Sequence, residues 1–359
     1  MNDRRRNHSA IINLILLAIL LSLSVVYSPS AAKARDSQPF GLPGTSEVLA
    51  LHKTQNETVG SCPSLGDARG TGLNAHLFDV GSMTGNAYRY TIINGGLPGH
   101  PDLEFTPAYK PSAVDALGNF YVRKDESLAD GDILVYPHGS NHPARTIQPS
   151  VPGALTFAPT ALAADEMGDL YYGYNAQFKH GNRSGIYVFA PNASGPAQPI
   201  QSIKLGKTYP PGFAGDMAIG PAGKLFVLGG NARRPTIVVY ADFLTNPKVV
   251  RKVYALGLSN PVGLAVDEAG ESYITDVQQN DIAVYSASAS GRAKPVRTLM
   301  IACVRGIAGR IAILGNDGFV ADTVDDTISE FDTRIPGVQN PIRTVPTPET
   351  PYQLSIGQF

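Results

Sequence analysis

The chain has 359 residues, 43% of them hydrophobic and 16% charged, so it carries enough apolar material for a large core and is excluded from the disordered class. Its 37 glycines and 28 prolines exceed ordinary usage but fall short of low-complexity sequence, which assigns the excess to turns. A formal net charge of −1 leaves no basic surplus to neutralise phosphates, and nucleic acid is excluded as an expected partner.

At the start, Arg4, Arg5 and Arg6 precede an apolar run from Ile11 to Tyr27, and small residues continue through Ala34. This is the layout of a signal peptide over residues 1–34, cleaved after Ala34 or after Ala32. Uncleaved, the same run would be an N-terminal membrane anchor; no other segment is apolar enough to span. Cleavage removes Arg4, Arg5, Arg6 and Lys33 against Asp3 alone, leaving a mildly acidic chain expected to be secreted or periplasmic and monomeric. Residues 35–72 read as a leader segment and 73–359 as one domain. In an exported protein the two cysteines, Cys62 and Cys303, invite a disulfide, two unrelated buried thiols being the alternative.

From residue 87 onward one pattern recurs, an apolar strand ending in an aromatic residue. Ala87 to Tyr90, Ile133 to Tyr136, Ile186 to Phe189, Ile237 to Tyr240, Ile282 to Tyr285 and Ile328 to Phe331 repeat it with a period of roughly 45 to 53 residues. Upstream of five of these strands stands a second motif, apolar-Asp/Gly-x-x-Gly, at Val114 to Gly118, Ala164 to Gly168, Ile219 to Gly223, Val266 to Gly270 and Leu314 to Gly318. Asp followed three residues later by Gly suits a tight reversal, because Asp accepts backbone hydrogen bonds and Gly supplies a positive φ. Four short strands fit each period. No sustained helical periodicity occurs beyond the export signal, so the expected fold is all-β, a β-propeller of four-stranded antiparallel blades.

The segment Val266-Asp267-Glu268-Ala269-Gly270, then Tyr273-Ile274-Thr275-Asp276 and Asn280 to Tyr285, resembles an NHL repeat. Gly318 to Asp322 with Ile328 and Phe331 resembles it less closely, and the family's Asn-x-Arg is missing from the loop that follows. The resemblance implies a propeller over about residues 73 to 359, in a family that includes interaction modules as well as enzymes.

The ends of the domain complement each other. Pro351, Leu354 and Ile356 align with Pro159, Leu162 and Ala164 and with Pro261, Leu264 and Val266, so the chain ends on a first strand. His76 to Val80 and Ala87 to Tyr90 read as second and third strands lacking one. Pairing the two fragments gives six blades; a seventh requires strands hidden in residues 40–72.

In a propeller the first strand of each blade lines the central channel, and alternation places Ala113, Ala163, Ala218, Ala265, Ile313 and Ser355 inward. Lactonase-type propellers ring a channel cation with carboxylates and amides, since a hard divalent ion needs several oxygens. Here the ring offers one hydroxyl, with Asp216 alone near the start of such a strand, and no metal or other cofactor is expected. Asp276, Asn280 and Asp281, or Asp322, Asp325 and Asp326, have the composition of a calcium loop but are read as turn residues. His100, His138, His142 and His180 are read as solvated, and Arg145, Arg251, Arg297 and Arg343 as charges guarding exposed fourth strands. Asn56, Asn182 and Asn192 begin glycosylation patterns that matter only in a host with that machinery. No catalytic residue is assigned. The expected function is binding of a protein, peptide or carbohydrate; the alternative is a lactonase or lyase with its site at a channel mouth.

Overall fold

The computed structural model describes residues 73–358 except 82–84, 95, 126–130, 206–213, 232–233 and 308. The expected signal peptide, the leader and Cys62 lie outside the described residues. Six sheets stand in a ring, each opening on an inner strand that packs against the inner strands of its two neighbours. The architecture is a six-bladed β-propeller.

Blade 1 joins both ends of the domain. Its inner strand, Pro351–Gln358, pairs antiparallel with Ala75–Gly81, which is followed by Ala87–Ile92 and Leu103–Phe105. The inner strands of blades 2 to 6 are Tyr109–Val114, Thr156–Ala164, Ala214–Gly220, Pro261–Val266 and Ala312–Leu314. The aromatic-ended repeats all form third strands: Ala87–Ile92, Ile133–Tyr136, Gly181–Phe189, Arg234–Ala241, Asp281–Tyr285 and Thr327–Asp332. In blades 2, 4 and 5 these strands read as nearly unbroken apolar runs because both faces are covered. Ile186 and Val188 face blade 4, while Tyr187 and Phe189 face blade 2. The core is accordingly six apolar seams, one between each pair of neighbouring blades.

The alignment of Pro159, Pro261 and Pro351 has a physical basis. Each sits at a register shift in its inner strand, where a bulge takes up an extra residue. At the other end of three inner strands Asp115, Asp165 and Asp267 make the reversal. Asp115 Oδ1 accepts from the Leu117 and Asn119 amides at 2.9 and 2.8 Å, and Gly118 has φ 78°. Each aspartate also takes the hydroxyl of a tyrosine six residues on, Tyr121, Tyr171 or Tyr273, at 3.0 to 3.2 Å. Blade 6 departs from the expected turn: the reversal falls at Gly315, φ 59°, and Gly318 lies within Asp317–Asp322, where a side chain would collide with the ring of Phe331.

Three blades carry a fifth strand that the repeat did not suggest. Gly195–Pro196, Gly291–Ala293 and Gly337–Gln339, each from the loop between third and fourth strands of one blade, pair in parallel with the outer strand of the blade before it. The fourth-strand arginines are correspondingly half-buried rather than exposed. Arg145 reaches the Pro191 carbonyl at 2.5 Å, Arg297 the Thr333 carbonyl at 3.1 Å, and Arg343 the Leu97 carbonyl, each on the next blade. Arg251 instead covers the Phe226 ring at 5.4 Å. Three of the four expected edge charges are therefore ties between blades, because a guanidinium on an outer strand is long enough to cross the seam.

Candidate functional site

The channel is where six strands converge, and all six residues expected to line it do so. With Val114, Ile219, Val266 and other apolar neighbours they bound a cavity of about 160 Å³. Sequence reasoning missed the residue that spans it. Arg310, just before the inner strand of blade 6, extends across the channel to Asp216 on blade 4, with only 10% and 5% of the two side chains exposed. Its Nε donates to Asp216 Oδ2 at 2.8 Å and its Nη2 to Oδ1; further N–H groups reach the carbonyls of Leu162, Met217 and Ser112 at 2.9, 3.0 and 3.3 Å. Asp216 also accepts the amides of Met217 and Leu264 at 2.9 and 2.8 Å. Beside them Ser112 and Ser355 share a hydrogen bond of 2.8 Å.

Local backbone places the plug. Gly309, φ 63°, has no room for a side chain against the Tyr352 carbonyl, and the Leu354 amide donates to the Arg310 carbonyl at 3.1 Å. Asp216, the one carboxylate singled out near the channel, is thus committed to a guanidinium and two amides.

The acidic loops are engaged in the same way. Asp276 accepts the amides of Ser259, Asn260, Gln278 and Gln279, and Asp322 those of Arg305, Gly306, Val324 and Asp325. Each ties the chain entering its blade to the turn between second and third strands. Asn280 bonds Val304 and Ile307 of blade 6, and Asp325 pairs with Arg305. Asp281 is pushed up to about 6 by burial and by the Asp276 charge. Asp326 supplies its carbonyl to Thr347. Among the described residues no three His, Cys, Asp or Glu side chains group to hold a metal ion.

His138 is not simply solvated: its Nε2 lies 3.0 Å from Nε2 of His76, across the seam between blades 2 and 1. His100 bonds the neighbouring Pro101 carbonyl, and His142 and His180 are exposed. Cys303 is exposed at φ 71° beyond the outer strand Arg297–Ile301.

A larger cleft, about 470 Å³, lies on the outer side of blade 4 and is lined by Arg234, Pro235, Tyr254, Ala255, Leu256 and Arg292. Register explains the grouping. Tyr254 pairs with Thr236, two residues from Arg234, and on its other side with Arg292 of the added strand. Among the described residues neither arginine has an ion-pair partner, and Tyr254 is 44% exposed. Lys252 stands two residues from Tyr254 on the same face, and Val249 and Val250 are exposed nearby.

No protein-family model matches the chain, and no curated protein matches it. Among solved structures it is similar to a chain of a nidogen–laminin complex, with a TM-score of 0.55 and 16% identity over 79% of this chain and 98% of that one. It is also similar to apo AztD from Citrobacter koseri, with a TM-score of 0.49 and 11% identity over 80% and 98% of the two chains. The likeness to the first is one of fold. Among the described residues no helix is long and apolar enough to cross a membrane.

Proposed function

We propose that the protein is an exported binding module that takes an anionic partner, a carboxylate-bearing peptide or carbohydrate, on the outer side of blade 4. The observation that carries this reading is the row Arg234, Tyr254, Arg292 along one cleft. Two guanidiniums with no counter-ion among the described residues can hold carboxylates by paired hydrogen bonds, and an exposed tyrosine between them offers an apolar face with a polar tip. On a chain whose formal charge is −1 such a basic row is a local exception, which favours steering of anions to this place. The Arg310–Asp216 pair that spans the channel, and the mostly apolar lining around it, support binding at an edge over binding in the centre. The export signal read over residues 1–34 supports a secreted or periplasmic location.

The test is titration of the purified full chain with an oligogalacturonate, a glutamate-rich peptide and a neutral oligosaccharide. Binding of at least one anionic probe is expected, weakening with added salt and lost in Arg234→Ala/Arg292→Ala. Equal affinity for the neutral sugar, or affinity unchanged in the double variant, would contradict the reading, as would lactone turnover by the wild type.

A further inference from the structure

Beside the Arg310–Asp216 pair the channel widens into a cup that the anionic partner of blade 4 does not use. Its rim takes one half-exposed apolar residue from each blade: Val114, Ala164, Ile219, Val266, Ile313 and Ile356. The residue before each of these is buried in every blade except blade 4, so the cup is reached from one mouth.

Two glycines leave the cup its space. A Cβ at Gly357 would come within 2.5 Å of Val114, and one at Gly220 within 2.9 Å of Val266. Both valines therefore lie against the inner strand of the preceding blade instead of filling the channel. The resulting volume of about 160 Å³ is too small for a length of peptide or sugar chain, but it matches an apolar cavity that takes one benzene-sized molecule. Water held against such a lining finds few polar partners, so its replacement by an apolar body is favourable.

The floor adds a polar preference. A guanidinium has five N–H groups. Arg310 spends Nε and Nη2 on Asp216 and on the Leu162 and Met217 carbonyls, whereas Nη1 meets only the Ser112 carbonyl, at 3.3 Å. One Nη1 hydrogen is left without an acceptor among the described residues. The Ser112 and Ser355 hydroxyls share a single hydrogen bond, which uses one of their two protons and leaves the other over. Both spare donors belong to the side of blades 1 and 2. Asp216, in contrast, has each oxygen taken twice, by Arg310 and by the Met217 or Leu264 amide. The floor thus has donors to offer and no side-chain acceptor, and its two opposite charges cancel, so it selects neither a cation nor an anion.

We propose that the cup binds one small neutral molecule with an aromatic or branched aliphatic body and a single carbonyl-type acceptor. The body packs against the rim, and the oxygen is directed to the spare protons of the serine pair and Arg310 Nη1. Burying a carbonyl without a partner is costly, and the spare donors remove that cost, which favours this ligand over its hydrocarbon analogue. A molecule presenting only N–H groups would set donors against donors.

The experiment is a fluorine NMR titration of the purified full chain with 4-fluoroacetophenone, 4-fluorotoluene and 4-fluorobenzylamine. None carries a carboxylate, so the outcome is independent of anion binding on blade 4. One equivalent of 4-fluoroacetophenone is expected to bind, about fivefold more tightly than 4-fluorotoluene, and the amine not at all. Ala164→Phe fills the half-exposed rim and is expected to weaken binding about tenfold or more, whereas Val296→Ala, on an exposed part of blade 5, should leave it unchanged. A melting curve matching the wild type separates filling of the cup from loss of fold. Independently of any variant, methyl-labelled wild type should show ligand-induced shifts at Val114, Ile219, Val266, Ile313 and Ile356. Absence of 4-fluoroacetophenone binding, an affinity no greater than that for 4-fluorotoluene or the amine, binding unchanged in a folded Ala164→Phe, or methyl shifts confined to residues outside the channel would each overturn the proposal.

Discussion

Arg310 of blade 6 and Asp216 of blade 4 meet across the channel axis, joined by two hydrogen bonds and screened from water by the inner strands. Neither charge would be tolerable there alone. The guanidinium satisfies a carboxylate and three carbonyls, and the carboxylate takes two amides as well, so the desolvation of each is offset by a nearly complete set of partners.

Removing both partners should therefore cost less than the two single removals added together. Arg310→Met or Asp216→Leu is expected to destabilise by about 3 to 5 kcal/mol, and the double variant by clearly less than the sum. Urea unfolding of the four proteins measures this. Additive losses would mean that the pair is not coupled.

Deleting residues 351–358 should abolish cooperative folding, because it strips the inner strand from blade 1 and leaves the channel edge of Ala75–Gly81 unpaired. Thermal denaturation followed by circular dichroism reads the result. A truncated protein melting like the wild type would refute closure by this strand.

Cys62 and Cys303 are predicted to be joined by a disulfide. Reduction should then lower stability by about 2 to 4 kcal/mol, since the bond closes a long loop of the unfolded chain. Mass spectrometry after alkylation without reductant is the direct measurement, and two labelled thiols would exclude the bond.

Asp79 gives the ring a pH dependence. Neither carboxyl oxygen makes a regular hydrogen bond, and burial pushes it up to about 8, an effect that the Tyr352 backbone opposes and the Glu349 charge reinforces. Its folded value exceeds its unfolded one, so the native state keeps a proton that the unfolded chain releases. Stability should fall as pH rises from about 4 to 8, by at most ~1.4 kcal/mol per pH unit for this group. Glu330, raised to about 7 chiefly by burial, acts in the same direction. Asp79→Asn should flatten part of the slope and be more stable than the wild type at pH 8. Urea midpoints at pH 5 and pH 8 that move equally in both proteins would show that Asp79 is not responsible.

What repeats was legible in the sequence. The aromatic-ended third strands, the Asp-x-x-Gly turns and the aligned prolines serve the same purpose in each blade and so recur at one period. What differs between blades was not. Arg310 occupies the position held by Thr160, Val262 and Tyr352 in other blades, and its partner lies 94 residues away. His76 and His138, 62 residues apart, meet only because blades 1 and 2 are neighbours. Gly318 fitted the turn pattern by spacing, yet blade 6 turns at Gly315, and position 318 is a glycine because the ring of Phe331 leaves no room for a side chain there. A period reports what blades share, whereas a site here is built from singular residues on different blades.

The register of blade 1 also sets how the ring yields to force. Ala75 lies opposite Gln358, and Gly81 opposite Pro351, so the outward ends of the two closing strands lie side by side. Tension applied between those ends loads the ladder one rung at a time, starting at Ala75 and Gln358, instead of shearing all rungs together. A propeller held at one end and pulled at the other would unzip at its clasp at low force, with the five remaining blades following once the clasp is open.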